Sequence, residues 1–206
     1  MGDHYGRFLG YTGFFPILRE PGQPSRVNPL RAALAALPFG EGSMFARAGL
    51  VHGARLFVID ALPDNGRPAR TEHLEQPWLV FSATLDGDLG ALAARLATVA
   101  RQECETLFSH CHGFAGAGSA EALLGYFTAC RHETTFLYVD VDDFDLEETL
   151  RALVAQGWIA DLVERCQGLS PAERKREVAA LAERIRTMPT PEPGGYFKRA
   201  GGAPPQ

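Results

Sequence analysis

Two β-rich runs with a polar stretch between them constrain the fold more than any other part of the chain. The runs are GLVHGARLFVIDAL (49–62) and PWLVFSATL (77–85), and both are rich in β-branched and aromatic residues. The stretch that separates them, PDNGRPARTEHLEQ, contains the Pro, Gly and Asn residues typical of loops. The sequence therefore predicts a long β-hairpin.

Helices are predicted from apolar periodicity and from capping residues at their starts. Leu89, Leu92 and Leu96 recur at helical spacing directly after the hairpin. Side chains that can accept a hydrogen bond from the first turn precede four further helical segments. These predicted N-caps are Asn28, with Pro29 at the first helical position, Ser119, Asp145 with Glu148 three residues later, and Ser170 with Glu173.

Two further strands are predicted after the hairpin, at TLFSHCHGF (106–114) and TTFLYVDV (134–141). The resulting order is ββαβαβα followed by one more helix. This order is typical of an α+β fold with a four-stranded, mostly antiparallel sheet and helices on one face, as in a ferredoxin-like sandwich. The second face of such a sheet is left open, and we expect a homodimer that pairs two sheets to cover it.

The chain is predicted to contain one folded domain between two irregular segments. Residues 1–27 are rich in Gly, Pro and aromatic residues, which predicts an arm, and residues 189–206 have the composition of a flexible tail. The domain itself is predicted over residues 28–188. Each aromatic ring of the arm would forgo about 1.5–3 kcal/mol if it stayed in water. We therefore expect the arm to lie in a groove of its own domain or of a second copy.

Charge and composition exclude several classes of partner. The 206 residues carry a formal net charge of −5, which argues against a protein that binds the phosphate backbone of nucleic acid. No run of about 18 apolar residues predicts a membrane-spanning segment, and the N-terminal residues lack the pattern of a secretion signal. The four cysteines form no CxxC pair, which indicates a reduced cytoplasmic protein.

The stretch TLFSHCHGF provides the candidate site. On a strand, His110 and His112 would point to the same side, which is suitable for two metal ligands. His52, His132 or Glu103 could supply a third ligand, although no zinc motif and no glycine-rich nucleotide loop is present. Four interpretations stay open: a metal site, a haem site, an iron-free histidine pocket, and histidines that serve packing alone.

Two other features have simpler explanations. Cys111 has no Lys or Arg nearby in sequence to stabilise a thiolate, so a small buried core residue is the favoured interpretation. The run DVDDFDLEE (140–148) has six carboxylates in nine residues but not the oxygen spacing of a calcium loop. Acidic residues at the start of a helix explain this run.

Four segments together resemble a bacterial family of stand-alone dimeric α/β-barrel-like proteins associated with dye-decolorising and lipid-directed haem peroxidases. They are HGARLFVIDALPDNG, HLEQPWLVFSATLDGDL, LFSHCHGF and TTFLYVDV, and the resemblance covers about residues 40–170. The family pattern, aromatic-x-His-Cys-x-Gly-aromatic, is matched by Phe108, His110, Cys111, Gly113 and Phe114. His112 departs from it. The resemblance implies a dimeric barrel-type fold, whose members include haem enzymes, cofactor-free oxygenases and binding proteins.

The leading functional prediction is an enzyme, or an enzyme-like pocket, for an apolar small molecule such as an oxidised lipid or a secondary metabolite. His110 would donate or accept a proton or bind haem iron, and His112 is the second candidate catalytic residue. The predicted lining residues are Phe81, Phe108, Phe136 and Tyr138. The alternative is a non-catalytic dimeric accessory protein that docks on a partner enzyme or a membrane surface. The sequence specifies neither a substrate nor a reaction.

Overall fold

The computed structural model describes residues 3–19, 25–62, 66, 72–140 and 144–194. The chain divides into two compact units, Met1–Asp143 and Phe144–Gln206. The first unit is α+β, as predicted, and the second contains a pair of helices. The elements of the first unit are β1 (His4–Tyr5), β2 (Phe8–Pro16), α1 (Val27–Ala35), α2 (Met44–Ala48), β3 (Val51–Leu62), β4 (Glu72–Asp86), α3 (Leu89–Val99), α4 (Arg101–Phe108) and α5 (Ala120–Ala129).

A four-stranded antiparallel sheet organises the first unit, with strand order β1-β2-β4-β3. The pairing of β3 with β4 confirms the predicted hairpin. Alternate residues of these strands point to opposite faces. We call the side that includes Leu79, Phe81 and Leu85 the core face, because these side chains join one buried cluster with residues of α1 to α5. The other side is called the second face.

Strand β2 lies inside the sheet, between β1 and β4. The prediction of an irregular arm is therefore wrong for residues 8–16. Tyr11 and Phe15 are buried on the core face, where their rings approach each other across Gly13. A Cβ atom at Gly13 would lie only 2.7 Å from the nearest atom of the Phe15 ring. The glycine gives these aromatic rings room, and the segment buries its aromatics as a strand.

The outer edge of β2 pairs with three short pieces of chain. The first piece is β1, which pairs with residues 8–9. In the second, Arg131 bridges to Gly13, and the adjacent backbone accepts from the Phe14 N–H at 2.9 Å. In the third, Cys111 bridges to Ile17, directly after β2, and the flanking residues 110 and 112 bond to Leu18 and Pro16 at 2.8 Å each. The last two pieces directly follow the C-terminal ends of α5 and α4.

The two other predicted strands are wrong. Of residues 106–114, the first three belong to α4, which ends at Phe108, and only Cys111 has strand-like pairing. Residues 134–140 form no regular element, and residue 141 lies outside the described residues. Leu137 lies over Gly10 on the second face, whereas Phe136 and Tyr138 are exposed. The segment therefore alternates like a strand although it does not join the sheet ladder.

Most of the predicted caps begin the predicted helices. The Ser119 hydroxyl accepts from the Ala122 N–H at the start of α5, as expected. The second unit comprises α6 (Leu146–Arg165) and α7 (Pro171–Arg186), and each begins with the predicted capping box. Asn28 is not a cap, because α1 already begins at Val27, without a side-chain cap.

The second unit is held together by a small apolar contact and by an aromatic–cation contact. Leu162, Leu181 and Met188 are buried, and the Arg184 guanidinium lies 3.7 Å from the centre of the Trp158 ring. Beyond α7 the predicted tail is described only as far as residue 194. Of the helices in the described part of the chain, none has the length and apolar character needed to cross a membrane.

Candidate functional site

The two histidines predicted as catalytic lie in the turn after α4. His110 is half-buried and His112 is exposed. The His112 N–H donates to the Pro16 carbonyl at the end of β2, and the His110 carbonyl accepts from the Leu18 N–H just beyond that strand. Neither imidazole has a hydrogen-bond partner among the described residues. Burial lowers the pKa of His110, and the positive charge of Arg26 lowers it further. Within the described part of the chain, no carboxylate fixes the orientation of these two side chains.

The four predicted lining residues lie in two different environments. Phe81 and Phe108 are buried in the core, where the ring of each contacts that of Phe127, with centroids 6.0 and 5.4 Å apart. Phe136 is 77% exposed and Tyr138 is 61% exposed. The structure therefore brings the first two together and leaves the other two at the surface.

The cysteines of this region are buried or partly buried and are protonated at neutral pH. Burial raises the pKa of Cys111 to about 12, an effect that nearby Cys130 reinforces. The pKa of Cys104 is also raised to about 12, mainly by burial. The Tyr126 hydroxyl donates to the His112 carbonyl at 3.3 Å beside this cluster. These environments suit packing and not nucleophilic attack.

The side chains considered as a third metal ligand are each in a different contact. Glu103 pairs with Arg47, and the His132 ring lies against Phe14 with centroids 5.5 Å apart. His52 pairs with Asp86. Within residues 3–19, 25–62, 66, 72–140 and 144–194, no three His, Cys, Asp or Glu side chains are grouped as a metal site would require.

The second face of the sheet carries a different set of polar side chains. Its residues lie in rows across the three long strands, because their Cα partners are directly opposite one another. One end is apolar and the other is polar. The apolar rows are Phe14–Val80–Phe57 and Pro16–Trp78–Ile59; the polar end consists of Thr12–Ser82–Arg55, Gly10–Thr84–Gly53 and Phe8–Asp86, beside His52.

A β-bulge in β3 brings His52 to this face. Val51 lies opposite Leu85 and Gly53 lies opposite Thr84, so His52 is the extra residue between them. Its Nε2 atom is 2.8 Å from Oδ1 of Asp86. The Phe8 ring packs edge-on against the imidazole, with centroids 4.7 Å apart. The two side chains of this pair are largely buried, with exposures of 15% and 19%.

The pairing determines which ring nitrogen of His52 faces a ligand. A carboxylate accepts hydrogen bonds, so Nε2 carries the hydrogen that is donated to Asp86. Nδ1 has no hydrogen-bond partner among the described residues, and in the neutral ring it carries the lone pair. A histidine that a carboxylate holds in one tautomer is the usual arrangement of a general base.

The surroundings of the pair combine small, hydroxyl and aromatic groups. The space above Gly53 is open, since a Cβ atom there would meet no atom within 4 Å. The hydroxyls of Thr12 and Ser82 lie 3.5 Å apart on the same face. At the β1 side the rings of Tyr5 and Tyr138 meet at 5.7 Å. Tyr138, one of the predicted lining residues, thus lies at this end of the sheet.

No protein-family model, curated protein or solved structure matches the chain. The resemblance to the dimeric α/β-barrel-like family depends on the quoted motifs alone and stays a prediction. Two of those motifs contain His52 and Asp86, although neither residue was assigned a catalytic role from the sequence. Only the bulge and the pairing of β3 with β4 reveal that they meet.

Proposed function

We propose that this protein binds a small molecule with an apolar body on the second face of its sheet, and that His52 accepts a proton from it. The carboxylate-bound imidazole of His52 carries this proposal. In the proposed step the ligand's O–H or N–H bond breaks, and its proton joins Nδ1. The imidazolium so formed is stabilised by Asp86.

The proposal keeps the predicted acid–base pocket but moves its base away from TLFSHCHGF. Among the described residues, neither His110 nor His112 has a partner that would select one tautomer, whereas His52 has one at 2.8 Å. Haem ligation by His110 stays a prediction, which the presence or absence of a Soret band in the purified protein tests.

4-Nitrophenol is a direct probe of proton acceptance, because its absorption distinguishes the phenol from the phenolate. We expect the protein to convert bound 4-nitrophenol to phenolate at a pH where the free probe is still largely protonated. His52→Gln should abolish the conversion and Asp86→Asn should reduce it. His110→Gln serves as the matched control and should leave it unchanged. Absence of conversion in the unmodified protein, or its persistence in His52→Gln, would contradict the proposal.

The apolar end of the second face supports self-association, which the alternative of a dimeric accessory protein requires. Phe57 is 43% exposed there and is flanked in its row by Val80. It lies on β3, which has β4 on one side and ends the sheet on the other. We propose a second copy of this chain as the occupant of this end, in a homodimer of the dimeric α/β-barrel type. Such contact would leave the polar end accessible to a ligand.

A further inference from the structure

We infer that the ligand of the second face is an organic anion, with a carboxylate held near Arg55 and a proton-donating group at His52. This inference rests on the proposed function, because it names the chemical class of the molecule that His52 deprotonates. It adds a second recognition point, which lies on the polar end of the second face in the row next to the apolar rows. Arg55 and the hydroxyl row of Thr12 and Ser82 form that point.

Arg55 differs from Arg31 and Arg131 in having no partner among the described residues. Its side chain is exposed on the second face, opposite Ser82, and it makes no hydrogen bond or ion pair with a described residue. By contrast, Arg31 binds the Asp60 carboxylate through two hydrogen bonds, of 2.8 and 3.0 Å, and Arg131 binds Asp3. An unpaired guanidinium has a planar set of donors that fits a carboxylate.

The adjacent hydroxyls add donors for the same anion. The Oγ atoms of Thr12 and Ser82 are 3.5 Å apart and partly buried, and they lie in the row of Arg55. A hydroxyl rotates to donate or accept, so this row can bond to a carboxylate oxygen without rearrangement of the backbone. No carboxylate of β3 or β4 lies in this row to compete for Arg55.

The spacing of the rows limits the size of the ligand. Arg55 and His52 are three residues apart on β3, which corresponds to at most about 10 Å at about 3.3 Å per residue. A benzene ring with a carboxylate and a hydroxyl in para positions is shorter than this span. The row Gly10–Thr84–Gly53 lies between the two recognition points; Leu137 covers Gly10, and the space above Gly53 is open for a flat body.

Three related probes separate the two recognition points. 4-Hydroxybenzoate has both the carboxylate and the phenol, benzoate has only the carboxylate, and phenol has only the proton donor. Calorimetric titration should give the highest affinity for 4-hydroxybenzoate. Arg55→Gln should lower that affinity at least tenfold and leave the affinity for phenol unchanged. Arg101→Gln, on the exposed surface of α4, is the matched control and should change neither.

The outcomes distinguish this inference from the proposed function. Equal affinities for phenol and 4-hydroxybenzoate, or no effect of Arg55→Gln, would overturn the inference that the ligand is an anion. The 4-nitrophenol result would in that case still support His52 as the base. If His52→Gln leaves the ionisation of 4-nitrophenol unchanged, the base itself is wrong. A higher salt concentration should weaken the binding of 4-hydroxybenzoate but not that of phenol, because only the former depends on Arg55. Salt-independent binding of both would overturn the inference.

Discussion

Asp3 is the one charged side chain that is buried among the described residues, with 6% of its surface exposed. Its carboxylate accepts from the Arg131 guanidinium and from the Thr134 N–H at 2.5 Å. Burial alone would raise the pKa of Asp3, but the hydrogen bonds from Thr134 and Arg131 outweigh it, and the pKa is lowered. This carboxylate joins the residue before β1 to the segment that follows α5.

The lowered pKa makes this contact sensitive to acid. A carboxyl group whose folded pKa lies below its unfolded value of about 3.9 stabilises the fold above that value and loses its contribution as the pH falls through the folded pKa. Asp3→Asn should lower the free energy of unfolding by about 1–3 kcal/mol at pH 7. Urea titrations at pH 7 and at pH 3 should give a smaller difference between variant and unmodified protein at pH 3.

Asp60→Asn is the matched control for this prediction. Asp60 also pairs with an arginine, Arg31, but both side chains are partly exposed, and such pairs contribute about 0–1 kcal/mol. Equal losses for the two variants would mean that burial of the Asp3 pair has no energetic consequence.

In strand β2 a glycine makes room for the aromatic rings of neighbouring residues. Tyr11 and Phe15 are neighbours on the same face, and both rings approach the space above Gly13. Gly13→Ala should lower the free energy of unfolding by about 1–3 kcal/mol, because the new methyl group would force these rings apart. Gly53→Ala should change it by less than about 0.5 kcal/mol, since its Cβ meets nothing. Thermal unfolding of both variants measures the difference, and equal effects would refute the packing argument.

The hairpin and the capping boxes were predictable because their signals are local. The run GLVHGARLFVIDAL needs only its own composition to form a strand, and Ser170 and Glu173 are three residues apart. The strand at 8–16 was missed because its glycines lower its β-propensity. The packing that offsets this loss places the Phe15 ring over Gly13 and pairs the strand with the distant β4. Residues 134–140 have the propensity but do not join the ladder, since Arg131 and its neighbours, rather than this segment, cover that part of the β2 edge.

The candidate site was harder to predict for the same reason. His52 and Asp86 are 34 residues apart, and they meet because one extra residue in β3 turns the imidazole toward the second face. No spacing rule in the sequence encodes a bulge at Val51 and Gly53. The prediction of four strands was correct in number, yet only the two strands of the hairpin were placed correctly.

At the scale of the whole molecule, the apolar rows of the second face lead to a testable expectation about assembly. If a second copy covers Phe57, sedimentation at micromolar concentration should give about twice the mass of 22.4 kDa. Phe57→Ser should shift the protein toward monomer. Phe39→Ser, at an even more exposed phenylalanine outside the sheet, should leave the mass unchanged. A monomeric unmodified protein would exclude this dimer.

The outer edge of β2 pairs with three separate pieces of chain, and their positions in the sequence determine when the sheet can be completed during synthesis. The strand emerges from the ribosome before its partner β4, which follows about sixty residues later, and its edge pieces at Cys111 and Arg131 follow later still. Such pairings have a large sequence separation, which slows folding because distant segments must meet before any contact forms. During that interval the rings of Tyr11 and Phe15 have no core to enter. The nascent chain would thus expose an aromatic segment that a chaperone can recognise until α5 has been made.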